Sequence, residues 1–179
     1  QNTLRGLPQI GNVLPAYCIP VRNALNALKK DYLTYEDYEK LCNSIKITAT
    51  EQQKNALRYL CDVGAVVHYE NDTDLSTIII LNPHWVIDAI YAVLINKTIK
   101  DRNGRFDKTW LFEYWQNTVN TKTYRHGECM HLLKLMLKNN FDICYRLKND
   151  EQEQYLVPLC MPENLPEHTF DETDSLQLL

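Results

Sequence analysis

The chain of 179 residues is 45% hydrophobic, 23% charged and 10% aromatic, with 5 glycines and 7 prolines. That balance fits a folded globular protein and excludes disordered, collagen-like and low-complexity classes. The formal charge of −4 is unevenly placed: eight acids and no Lys or Arg follow Lys148, while the part before them carries 19 basic against 15 acidic groups. The length suits one domain or two small ones, with a core that needs no disulfide or metal staple. No run reaches the ~18 apolar residues of a membrane span, and the densest, Trp85 to Ile95, contains Asp88. With neither an initiator Met nor a signal peptide, the sequence reads as a piece of a longer polypeptide.

Val21, Ala24, Leu25 and Leu28 recur at helical spacing, with Pro20 suited to a first turn. Thr34 and Asp37 form a capping pattern for a second helix using Tyr35, Tyr38, Leu41, Cys42 and Ile45. Thr50 with Gln53 repeats it for a third, with Ala56, Leu57, Leu60 and Cys61 inward. Gly64 sits where a left-handed residue ends that helix. Ala65 to Tyr69 and Thr77 to Leu81, rich in β-branched residues, flank the polar turn Asn71-Asp72-Thr73-Asp74. Three helices followed by a hairpin outline a winged helix.

Pro83 opens a helix whose apolar residues spread around its circumference as far as Ile95, so Trp85 and Tyr91 are expected to be buried. Lys97 to Asp107 reads as a polar connector with an Asn103-Gly104 turn. A short helix follows around Trp110, Leu111, Tyr114 and Trp115, then another from Glu128 to Lys138. Phe141, Ile143, Tyr145 and Leu147 alternate with polar neighbours as a half-buried strand, paired with Tyr155 to Leu159. At an offset of 76 residues, Leu57, Leu60, Gly64, Val67 and Tyr69 align with Leu133, Met136, Asn140, Ile143 and Tyr145. This is either a structural duplication or the common outline of any helix–hairpin unit. The fold class is therefore mainly α with small antiparallel hairpins (α+β), winged-helix-like in its N-terminal half, with a second helix–hairpin unit suggested by the repeat.

The chemistry is sparse. There is no phosphate-cradling GxxxxGK[ST] loop, no GxSxG elbow and no HExxH. His126, Cys129 and His131 as zinc ligands lack a distant fourth partner, and they read more simply as rim residues of a helix. Cys18 or Cys42 as a nucleophile needs a positioned His that the sequence does not supply. The six cysteines show no CxxC pair and read as reduced thiols. Catalytic, cofactor-binding and metal-binding residues are accordingly expected to be none. Seven cations between Lys97 and Arg125 (Lys97, Lys100, Arg102, Arg105, Lys108, Lys122 and Arg125) stand against three acids, and read as a solvated loop face or as a docking patch for an acidic partner or nucleic acid. A winged-helix nucleic-acid-binding module is the alternative reading. Its third helix, however, offers only Lys54 and Arg58 against Glu51 and Asp62, and Glu70, Asp72 and Asp74 on the wing would repel phosphate, so DNA binding is disfavoured.

The run Leu57-Arg58-Tyr59-Leu60-Cys61-Asp62-Val63-Gly64-Ala65-Val66-Val67-His68-Tyr69 and the block Thr77 to Val86, with Asn82-Pro83-His84-Trp85, resemble the COR (C-terminal of Roc) region of Roco-family GTPases. Leu14-Pro15, Gly104 to Leu111 and Tyr155-Leu156-Val157-Pro158 extend the resemblance over residues 14–160, the COR-A half. The chain departs from many members in carrying Cys18 at an aromatic position, with Tyr17 beside it. The resemblance implies a non-catalytic module of halves 14–96 and 97–160, with 161–179 as an acidic linker or the start of COR-B. It implies packing on the adjacent Roc G domain and on COR-B, a homodimeric parent protein, and coupling of nucleotide state to dimerisation and signalling. It also implies GTP and Mg in the Roc domain with no cofactor in this segment, and a cytoplasmic location. The consecutive Ile78, Ile79 and Ile80 place Ile79 on the opposite strand face from its neighbours, and the first hairpin is the expected Roc contact unless the later half of the chain covers it.

Overall fold

A computed structural model of the chain describes residues 15–117, 122–137, 142–147 and 153–162. It divides into two compact units, with the boundary between Asp88 and Ala89. Among the described residues no helix is long and apolar enough to cross a membrane.

In the first unit, α1 (Cys18–Ala27) is followed by β1 (Tyr32–Thr34), α2 (Tyr35–Ser44), α3 (Thr50–Asp62), β2 (Val67–His68) and β3 (Ile78–Ile80). The sheet order is β1-β3-β2, all antiparallel, with Leu33 and His68 on either side of Ile79. Val21 and Leu25 of α1, Tyr38 and Cys42 of α2, and Ala56, Leu57 and Leu60 of α3 form the core with Leu33, Val66 and Ile79. The Thr34 hydroxyl accepts the Asp37 N–H at 3.1 Å and caps α2 as expected. The expected cap at Thr50 is not made. Ala49 occupies the cap position without a side-chain bond, and Gln53 turns inward. Its Nε2 donates to the Ile47 carbonyl at 2.8 Å and to Asn43 Oδ1 at 3.0 Å, and the Gln53 backbone carbonyl accepts the Tyr38 hydroxyl at 2.7 Å. A buried amide with these partners ties α2, the following turn and α3 together, since each bond left unmade would strand a desolvated group. Gly64, at φ +71°, ends α3 as expected.

Helix α4 (Pro83–Ile95) starts at Pro83, and the Asn82 side chain accepts the His84 N–H at 3.2 Å. Trp85 is buried and stacks on Tyr32 at 5.2 Å. Tyr91 is not buried; it is 58% exposed. Ile87, Tyr91 and Ile95 follow at four-residue spacing and all are exposed, so α4 has an outward face despite its uniformly apolar composition. Ala89, Ala92 and Val93 take the inward positions instead.

The second unit contains α5 (Lys97–Asp101), β4 (Arg105–Asp107), α6 (Lys108–Gln116), α7 (His126–Leu137), β5 (Tyr145–Arg146), β6 (Gln154–Leu156) and a 3-10 turn, Pro158–Cys160. The stretch expected to be a polar connector therefore forms a helix and a strand. Asn96 accepts the N–H groups of Thr98 and Ile99 and caps α5. Asn103 and Gly104, at φ +52° and +80°, turn the chain into β4. The Asp107 carboxylate accepts the Trp110 N–H at 2.8 Å and caps α6. Two expected strands are shorter than the alternation implied. Asp142 adopts a left-handed φ of +46°, which interrupts extension before β5, and Pro158 starts a 3-10 turn where the β6 partner was expected to continue. The expected positions Leu14, Lys138, Asn140, Phe141 and 163–179 lie outside the described residues.

The sheet order here is β4-β6-β5. Each unit therefore runs helix, strand, helix, helix, strand, strand, with its last strand in the middle of its sheet. The 76-residue offset carries Ile78–Ile80 onto Gln154–Leu156, and Leu57 and Leu60 onto the equally buried Leu133 and Met136. The repeat in the sequence is a repeat of architecture.

Candidate functional site

The chemistry-bearing residues do not converge. His126, Cys129 and His131 all lie on α7, but His131, five residues on from His126, points about 140° round the helix from it, so the three do not share one face. His126 is exposed and packs edge-on against Phe112 at 5.1 Å, Cys129 is buried beside the Tyr124 carbonyl, and His131 is half-buried. Among the described residues no group of three or more His, Cys, Asp or Glu side chains is arranged to hold a metal ion. All six cysteines are free thiols, and Cys61 is the one that is not fully buried. Burial pushes the Cys129 thiol up to about 11 and the Cys144 thiol up to about 12, which disfavours the thiolate that nucleophilic chemistry requires.

The helix and wing that would face nucleic acid in a winged helix are joined to each other instead. The Arg58 guanidinium of α3 donates from Nε and Nη2 to the two Glu70 oxygens, at 2.9 and 2.7 Å. These bonds hold the Glu70 carboxyl below its usual range. One of the two cations available for phosphate on this helix is thus neutralised by the wing, and Asp72 and Asp74 add further negative charge there.

The cations of the 97–125 stretch are distributed over several elements. Lys97 and Lys100 lie on α5, Arg102 in the following turn and Arg105 on β4, all exposed. The Arg102 guanidinium stands 6.0 Å from the Trp110 ring. Lys108 pairs with Glu153 at 3.0 Å, and the Arg125 N–H donates to Glu128 at the start of α7. A cleft of about 470 Å³ is lined by Asp107, Lys108, Thr109 and Glu153. The cap of α6 and the Lys108–Glu153 pair engage three of these four side chains.

The first hairpin does not present Ile79. Its side chain is fully buried in the first unit's core, and Ile78 and Ile80 are buried as well, so β3 is covered on both faces. The expected Roc contact at Ile79 is corrected accordingly. Among the described residues the large apolar side chains that do face outward are Ile19, Val63, Ile87, Tyr91, Ile95, Tyr145, Leu159 and Met161. Sequence reasoning missed the α4 members, because an all-round apolar helix gives no signal of which residues face out. Four-residue spacing from Ile87 was the one clue available.

What the geometry defines is a doubled winged-helix architecture without an assembled catalytic or metal centre among its described residues. The particular family follows from the sequence. The profile of the family described as C-terminal of Roc, COR-A domain, matches residues 15–161, and the chain belongs to this family of Roco-protein domains. It is 26% identical over 136 residues to a probable serine/threonine-protein kinase, roco11, of Dictyostelium discoideum, covering 76% of this chain and 8% of that protein. It is 29% identical over 151 residues to a Roc-COR-CHAT protease of Runella zeae, covering 83% of this chain and 15% of that protein. The solved structure of Methanosarcina barkeri Roco2 RocCORdC bound to GDP superposes with a TM-score of 0.70 at 23% identity, over 83% of this chain and 44% of that one. That likeness shows the fold. The chain thus spans well under a fifth of the length of these curated relatives.

Proposed function

We propose that this chain is a non-catalytic regulatory module of a Roco protein, which packs on the Roc GTPase domain of the same polypeptide and helps couple nucleotide state to dimerisation and signalling output. One observation carries the reading: the COR-A match over residues 15–161 falls on two units whose titratable and nucleophilic groups are dispersed, capped or buried. Such a module acts by presenting a surface whose fit differs between its partner's conformational states. GTP and Mg belong, in this reading, to the Roc domain, and the protein works in the cytoplasm. The kinase and protease in the relatives' names are read as activities of other segments of those longer proteins.

Calorimetric titration of the chain with GTP and magnesium is expected to give no heat of binding, whereas adding the chain to its Roc domain is expected to change the rate of GTP hydrolysis. Micromolar GTP binding by the chain itself would overturn the reading. The nucleic-acid alternative predicts salt-dependent retention of duplex DNA in a gel-shift series, and the bidentate Arg58–Glu70 pair argues against it.

A further inference from the structure

We propose that the cationic edge formed by α5, the 102–104 turn and the start of β4 is a docking surface for a peptide segment rich in carboxylates. Backbone bonds bring the cations of this edge together. Lys97 and Lys100 stand three residues apart on α5 and are therefore surface neighbours, while Ile99 between them is buried. At the end of the helix the Arg102 N–H donates to the Thr98 carbonyl at 3.1 Å, and the Asn103 N–H to the Lys100 carbonyl at 3.0 Å. Asn103 and Gly104 both have positive φ, and the Arg105 N–H then reaches back to the Arg102 carbonyl at 3.1 Å. That bond closes a tight turn, which keeps the Cα atoms of Arg102 and Arg105 within about 7 Å of each other. The turn is anchored from behind: the Gly104 carbonyl accepts the Val157 N–H at 2.8 Å, and Arg105 pairs with Leu156 across β4 and β6. The cations thus stand on a fixed backbone, which lowers the ordering cost of binding.

Charge and side-chain placement define the occupant. Lys97, Lys100, Arg102 and Arg105 are exposed, and Asp101 is the single acid among them. Among the described residues none of the four makes an ion pair, whereas the next cation along, Lys108, is paired with Glu153. The Arg102 guanidinium rests 6.0 Å from the Trp110 ring centre, which orients it without using its N–H groups. A guanidinium held in this way offers two parallel donors, the geometry that a carboxylate accepts. Clustered arginines of this kind are a recurring means of recognising acidic peptide motifs.

The same ring disfavours a nucleic acid as the occupant. Single strands are held by bases that stack on open aromatic faces. Trp110 is already engaged by two partners, Arg102 and the near-parallel Tyr114 ring at 5.3 Å and 9°. Asp101, in the middle of the edge, also opposes the unbroken negative charge of a phosphate backbone, whereas a peptide can place a neutral residue there. This inference goes beyond the regulatory reading above, since no G-domain contact enters it.

The test is fluorescence anisotropy of a labelled hexaglutamate peptide titrated with the isotopically labelled 179-residue chain at low ionic strength. The peptide is expected to bind, a hexaglutamine control is not, and the affinity is expected to fall as salt is raised to about 0.15 M. Arg102→Gln with Arg105→Gln is expected to weaken binding about tenfold, because two charge-assisted contacts are lost. Lys29→Gln with Lys30→Gln removes the same charge from exposed positions outside the edge and is expected to leave the affinity unchanged. In the unsubstituted chain, the NMR resonances of the Arg102 and Arg105 Nε–H groups are expected to shift on adding the peptide. That measurement decides the matter even if a variant fails to fold. Absence of binding at low salt would overturn the proposal. So would equal losses from the two double variants, because net charge alone would then explain the attraction. Tighter binding of an oligothymidylate of the same charge would assign the edge to nucleic acid and overturn it too.

Discussion

Gln53 carries more of the first unit's structure than its polarity suggests. Its amide is the buried tie between the Asn43 side chain and the Ile47 carbonyl. Gln53→Ala is expected to leave the Ile47 carbonyl without its partner and to cost about 1–3 kcal/mol, read as a lower melting temperature. Ile79→Asp tests the corrected role of that residue. With Ile79 at the centre of the sheet and fully buried, the charge has no partner, and the isolated chain is expected to unfold by circular dichroism. A folded Ile79→Asp chain would contradict the packing described.

His131 gives a pH signature. Burial, with help from Lys134, lowers its pKa below the ordinary value of 6.5, so the folded state favours neutral imidazole. Between the two values the unfolded chain binds more protons, so stability rises with pH through this window and falls as pH drops below about 6.5. His131→Gln is expected to flatten that limb of a stability-against-pH curve. The thiols offer a further check: Cys129 and Cys144, raised to about 11 and about 12, are expected to resist alkylation at pH 8 until the chain is unfolded.

Among the elements, the two left-handed glycines separate backbone conformation from close packing. At Gly64 a Cβ would meet nothing within 4 Å, so Gly64→Ala carries only the cost of φ +71°, about 1 kcal/mol. At Gly104 the same atom would stand 2.5 Å from the Val157 carbonyl oxygen, which is backbone of the chain leaving β6. Gly104→Ala is therefore expected to lower the melting temperature by clearly more than Gly64→Ala, because it disturbs the β4–β6 pairing as well. Equal effects would mean that the turn and strand are less tightly joined than described.

The same contrast explains what was legible at this scale. Capping residues read well where the side chain is free to bond locally, as at Thr34, and poorly where the tertiary environment claims it, as at Gln53. Helices with one apolar stripe, such as α1 and α3, were found in place, whereas α4 hid its outward Tyr91 because nearly every position is apolar. The short α5 and β4 escaped because five and three residues carry too little periodicity to stand out from a polar loop.

For the whole molecule, the repeated order of helix, strand, helix, helix, strand, strand shows how two small units can each bury a core from few residues. The 76-residue offset was visible because Leu57, Leu60, Leu133 and Met136 fill equivalent core positions. No comparable pattern marks the surface, since interfaces are specified by which residues face outward rather than by spacing. That is why spacing alone points Ile79 outward and Tyr91 inward, although Ile79 is buried and Tyr91 is exposed.

In the proposed function, the surface of the module responds to the nucleotide state of the Roc G domain. A ligand shifts an equilibrium only through its differential affinity for two states, and a tenfold difference corresponds to about 1.4 kcal/mol. The decisive measurement is calorimetric titration of the chain with its own Roc domain, loaded first with GDP and then with a non-hydrolysable GTP analogue. Binding is expected in both cases, with dissociation constants that differ between the two nucleotides. Absence of binding in both states, or the same constant in each, would contradict it.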